Sequence, residues 1–126
     1  MIDLAVVIAH TADLCRKPYQ HAVVPRHEAE ETSSIDDVLV RIETRDASGS
    51  RIEAMDLELE IYRSGSDVNL MLSWCDQAER PMLWQGQHPV WMDGNSGQRC
   101  QPPEDGAPME SFARRLRALL VLPEQS

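Results

Sequence analysis

Between Met55 and Cys75 apolar and polar residues alternate twice. Met55, Leu57, Leu59 and Ile61 fall on one side, and Asp56, Glu58, Glu60 and Tyr62 on the other. That period of two predicts a half-buried strand over residues 55–63. Ser64-Gly65-Ser66-Asp67 is turn chemistry, and Val68, Leu70, Leu72 and Trp74 resume the alternation. If Arg63 pairs with Val68, then Ile61 meets Leu70, Leu59 meets Leu72 and Leu57 meets Trp74. All the apolar residues then share one face, as register requires when that face is buried.

The flanking patterns extend the sheet. Val38–Arg45 alternates through Val38, Val40 and Ile42, and the turn residues Asp46 and Ser48–Ser50 follow. Met82–Gln85 and His88–Asp93 predict a second hairpin about Gly86-Gln87. A five-residue loop sets Asp76 opposite Met82. In the hairpin Trp84 meets Pro89 and Met82 meets Trp91, so both tryptophans share a face. Pro89 lacks a ladder donor, which makes the last strand an edge. Residues 26–37 are acidic and polar and read as a solvated loop. The stretch 93–101 is glycine-bearing and polar, and 102–108 is a proline-rich linker.

Both ends carry helical spacing. Leu4, Ala5, Ile8, Ala12 and Cys15 recur on one stripe that Pro18 closes, although Val6–Ile8 also permit a short strand. Met109, Phe112, Leu116, Leu119 and Leu120 form a second stripe, with Pro108 in its first turn and Pro123 beyond it. The expected fold is α+β: a single antiparallel meander sheet of four to six strands. A C-terminal helix and an N-terminal helix pack on it. At 126 residues the chain is the length of one domain, 1–126.

Charge narrows the function. Twelve basic residues stand against 21 acidic ones, a net charge of −9. Nucleic acid and anionic membrane surfaces both demand a basic patch. The cluster Arg114, Arg115 and Arg117 is too small to supply one. Acidity of this kind favours solubility and suits a basic protein partner. Lys17 is the only lysine among the 12 basic residues, a bias that fits a GC-rich bacterial genome. Cys15, Cys75 and Cys100 are odd in number and widely spaced, which argues for a reducing compartment. The absence of a secretory leader or membrane-length apolar run then predicts a cytoplasmic protein.

Candidate chemistry is sparse. His10, Cys15, His21 and His27 lack the paired spacing of a zinc site, so neither metal nor cofactor is expected. Glu58, Ser73, Gln85 and His88 fall in one row across the outward face in the expected register. Ser73 and His88 then stand two strands apart, roughly 10 Å, too far for a nucleophile and its base. Glu58 and Glu60 read as an acidic strand face rather than as a glycosidase pair. Residues 93–99 carry two glycines but no phosphate-loop pattern.

What remains is surface. The outward face of the second half of the sheet is too apolar for a solvated face. Met71, Leu83, Val90 and Met92 mark it as a place for a protein partner or a second copy. The N-terminal segment is the other element that could cover it. The alternative is a small-ligand site or enzyme pocket between the C-terminal helix and the aromatic hairpin. Trp84, His88, Trp91 and Arg99 would line its mouth.

Overall fold

The computed structural model describes residues 4–25, 38–77 and 79–121. The chain runs α1 (Leu4–Cys15), β1 (Gln20–Pro25), β2 (Val38–Arg45), a short 3-10 turn (Glu53–Met55) and β3 (Leu57–Ser64). It continues through β4 (Asp67–Trp74), β5 (Met82–Gln85), β6 (Pro89–Met92) and α2 (Gly106–Leu120). The six strands form one antiparallel meander in chain order, so β6 is an edge as Pro89 implied. The polar stretch 26–37, His27 and Pro123 lie outside the described residues.

The β3–β4 hairpin pairs as its alternation demands: Arg63 with Val68, Ile61 with Leu70, Leu59 with Leu72 and Leu57 with Trp74. The turn is tight because Gly65 adopts a φ of 68°, a left-handed conformation that glycine reaches without a steric penalty. Leu57, Leu59, Ile61, Leu70 and Leu72 are fully buried. They join Ile8 and Ala12 of α1 and Met109, Phe112, Ala113 and Leu116 of α2 in one apolar cluster. The N-terminal segment is therefore a helix. It packs beside α2 on the same face of the sheet, and among the described residues no element covers the opposite face.

Three expectations are corrected. The segment Gln20–Pro25, not anticipated as a strand, adds β1 to the edge with Val23 opposite Ile42. Met55 is not strand but the end of the 3-10 turn, and Asp56 is fully buried beneath Arg41 and Arg51. The largest change is in β5, where Leu72 pairs with Leu83, Met71 with Trp84 and Leu70 with Gln85. That shift from the expected register is an odd number of residues, which turns every β5 side chain over. Its cause is the loop. The chain leaves β4 at Trp74 and re-enters at Met82. Arg80 is stacked 3.8 Å over the Trp74 ring, and its Nη2 donates to both carboxylate oxygens of Asp105 at 2.9 Å.

The tip of the second hairpin is also one residue longer than expected, so Leu83 pairs with Trp91 and Trp84 with Val90. The two tryptophans consequently lie on opposite faces. Trp91 faces the core and donates its indole N–H to Glu110 Oε2 at 2.6 Å, while Trp84 faces outward.

Candidate functional site

The open face divides into two halves. On β2 and β3 it is charged: Arg41 lies opposite Glu58, and Leu39 opposite Glu60. On β4 to β6 it is largely apolar, with Asp67 at the start of β4 and Arg99 bridged to Met92 at its margin. Cross-strand neighbours Met71, Trp84 and Val90 form one row, with Met82 and Met92 paired beside it. All five are half-buried. Trp84 is fixed in place: its Nε1–H donates to the Tyr62 hydroxyl at 2.9 Å. A Cβ at Gly86 would lie only 2.4 Å from the indole ring. Glycine at 86 is thus required by close approach of the ring.

Of the residues expected on this face, Met71, Val90 and Met92 are there. Leu83 is not; it is 1% exposed and belongs to the core because β5 is turned over. The same inversion puts Trp84 on the face in its place and draws Gln85 inward. It also breaks the outward row: Ser73 still opposes Glu58, but Gln85 no longer shares their side.

The expected ligand pocket is partly assembled. Trp84, His88 and Arg99 line an open cleft of about 380 Å³ at the hairpin tip, with Asn69, Val90 and Arg117. Arg117 is positioned by its Nε–H, which donates to the Val68 carbonyl at 2.8 Å. Asp67 also borders the cleft and offsets part of the positive charge. Trp91 does not take part, since it lies on the core side of the sheet.

Burial pushes the Cys75 thiol up despite the opposing charge of Arg41, so at neutral pH it is a thiol and not the reactive thiolate. Among the described residues no group of three or more His, Cys, Asp or Glu side chains could hold a metal ion. The loop at 93–99 folds on its own aspartate. Asp93 Oδ1 accepts from the backbone N–H groups of Asn95 and Ser96, which holds its carboxyl below the usual range.

Two buried polar clusters escaped the sequence reading. The first joins α1 to the sheet. Arg16 Nη1 reaches His21 Nε2 at 2.9 Å and Thr44 Oγ1 at 3.3 Å, and Nη2 donates to the Met55 carbonyl at 3.2 Å. His21 Nδ1 lies 2.9 Å from Asp13 Oδ1. A signal was available: residues 8, 12 and 16 are spaced by four, which sets Arg16 on the buried face of α1 beneath Ile8 and Ala12. The second cluster is Asp56, whose Oδ1 accepts from Thr44 N–H at 2.8 Å and whose Oδ2 pairs with Arg41 and Arg51.

Desolvation pushes the His21 pKa below its ordinary value; Arg16 adds to this, and the bond to Asp13 opposes it. A histidine held neutral in the fold binds its proton more readily when unfolded. Stability therefore rises with pH across that window. Denaturation midpoints should fall between about pH 7 and about pH 5, and His21→Gln should flatten that fall. An unchanged slope in the variant would remove His21 as its source.

No helix among the described residues is long and apolar enough to cross a membrane. No curated protein and no solved structure matches the chain. A family profile does match, over residues 5–119 from the first turn of α1 to the last turn of α2. On that span the chain belongs to the family described as a domain of unknown function, DUF8659.

Proposed function

We propose that the protein is a non-catalytic interaction module that self-associates through the apolar half of its open sheet face, in a bacterial cytoplasm. The observation that carries this reading is the row Met71–Trp84–Val90 with Met82 and Met92, half-buried and left uncovered by either helix. Exposed apolar groups gathered on one surface are a mark of an interaction site, and tryptophan and methionine are enriched at such sites.

A second copy suits this face for electrostatic reasons. The chain carries a net charge of −9, so two copies repel at long range, yet the row Met71–Trp84–Val90 is itself uncharged, with Asp67 and Arg99 at its margin. A two-fold axis through it sets the charged halves, with Arg41, Glu58 and Glu60, on opposite flanks in solvent. Closed two-fold dimers are also the commonest oligomers.

Met71→Glu and Val90→Glu each place a carboxylate at one end of the row, beside Trp84, on each copy. Each is expected to convert the dimer to monomer by native mass spectrometry, while far-ultraviolet circular dichroism stays unchanged. A mass unaltered by both substitutions overturns the assignment of this face.

A second reading rests on the convergence of Trp84, His88 and Arg99 on the cleft at the hairpin tip. An aromatic wall beside two arginines and a histidine suits a small anionic ligand, which makes the protein a ligand carrier. A soluble metabolite panel that quenches Trp84 emission, with loss of the effect in Arg99→Ala, would favour this reading over the first.

A further inference from the structure

On the opposite side of the sheet from the open face, a second cavity of about 200 Å³ lies where the ends of α1 and β4 meet the start of α2. Its walls are Tyr19, Met55, Trp74 and Met109, and its basic groups are Arg16 and Lys17. Arg16 is 5% exposed, and among the described residues no carboxylate comes within ion-pairing distance of it. Its three partners are the neutral acceptors His21, Thr44 and the Met55 carbonyl. A guanidinium carries five N–H donors. Its Nε–H and one Nη2–H therefore have no protein acceptor among the described residues. Buried charges are ordinarily paired.

An aromatic ring borders the same space. The Trp74 ring lines the cavity; its Nε1–H is buried without an acceptor and is closed off from the cavity as well. The first turn of α2, with Pro108 and Met109, forms another wall, and its N-cap Asp105 makes no side-chain cap. Helix N-termini add partial positive charge. Among the described residues the acidic group at the cavity is Asp105, which pairs with Arg80 and whose charge also acts on Arg16.

We infer that this cavity binds a small organic carboxylate, its head on Arg16 and its apolar body between Trp74, Met55 and Met109. Two features favour a carboxylate with an apolar body over a bare inorganic anion. The walls are mostly apolar side chains, and a guanidinium edge matches the two oxygens of a carboxylate. Burial pushes the Arg16 pKa down to about 10, so the guanidinium keeps its charge at neutral pH. Water alone is a poor substitute here. At roughly 30 Å³ each, several waters would have to be ordered against apolar walls to reach the same donors.

Benzoate and its neutral isostere benzamide test this on the full chain by two-dimensional 1H–15N NMR of the tryptophan indoles, Trp74 being assigned with Trp74→Phe. The expected result is a saturable benzoate shift at the Trp74 indole, with Trp84 and Trp91 unmoved and benzamide at least tenfold weaker. Arg16→Gln should abolish the shift. If that variant does not fold, the benzoate–benzamide comparison on the unaltered protein still decides. Three results would overturn the inference: no saturable Trp74 shift below about 10 mM, equal effects of the two compounds, or a response at Trp84 alone. The site is separate from the open sheet face, so its failure leaves the self-association reading standing.

Discussion

Asp56→Ala is expected to remove about 3 kcal/mol from folding stability. Asp56 is fully buried and serves three partners at once: the Thr44 N–H, Arg41 and Arg51. Removing one member of a buried ion pair ordinarily costs roughly 3–5 kcal/mol, because charge is left behind without compensation. Here Arg41 and Arg51 keep 35% and 29% of their side chains exposed, so water relieves part of the loss and the lower end applies. The orphaned Thr44 N–H is not relieved, since Thr44 is itself fully buried. Asp56→Asn separates the two contributions. It keeps an oxygen for Thr44 and loses only the charge, so its expected cost is smaller, about 1–2 kcal/mol. Urea denaturation with an unchanged slope would measure both. Equal values for Ala and Asn would mean that the Thr44 bond contributes nothing.

Phe112→Ala is expected to cost as much or more, about 3–5 kcal/mol. Phe112 is the only phenylalanine of the chain. It is fully buried in the cluster where α2 meets α1 and the sheet. Domains of this kind are stable by roughly 5–15 kcal/mol in total, so the loss is a large share. The melting temperature should fall by roughly 10–20 °C. Phe112→Leu restores most of the volume and should cost less than about 1.5 kcal/mol. If alanine and leucine behaved alike, α2 would not depend on this side chain for its seat on the sheet.

How much could be read in advance differed from element to element for physical reasons. The β3–β4 hairpin was legible because a tight turn and alternation along both strands leave a single register that puts Leu57, Leu59, Ile61, Val68, Leu70, Leu72 and Trp74 on one buried face. β5 was not. It has four residues, Met-Leu-Trp-Gln, and either Leu83 or Trp84 could face the core. The choice lies in the loops at either end, where the Arg80 stack on Trp74 and the longer hairpin tip decide it.

That one inversion accounts for the errors in the candidate site. It moved Leu83 from the open face into the core and brought Trp84 out, while Met71, Val90 and Met92 stayed where alternation set them. It also split the expected pocket, leaving Trp84, His88 and Arg99 together and Trp91 on the other side. Met55 was misread because alternation was extended too far, into residues that form the 3-10 turn. Buried polar clusters leave little trace in a period-two pattern, because hydrogen-bond partners from distant segments set them.

The most direct test of the central claim is sedimentation equilibrium of the unaltered chain at low and high salt. Two copies of charge −9 repel, and salt screens that repulsion; the screening length falls from about 10 Å at 0.1 M to about 3 Å at 1 M. An apolar contact between like-charged copies should therefore give a dimer that tightens as salt rises. A monomer at every salt concentration, or a dimer that dissociates as salt rises, would contradict self-association through the apolar half of the open face.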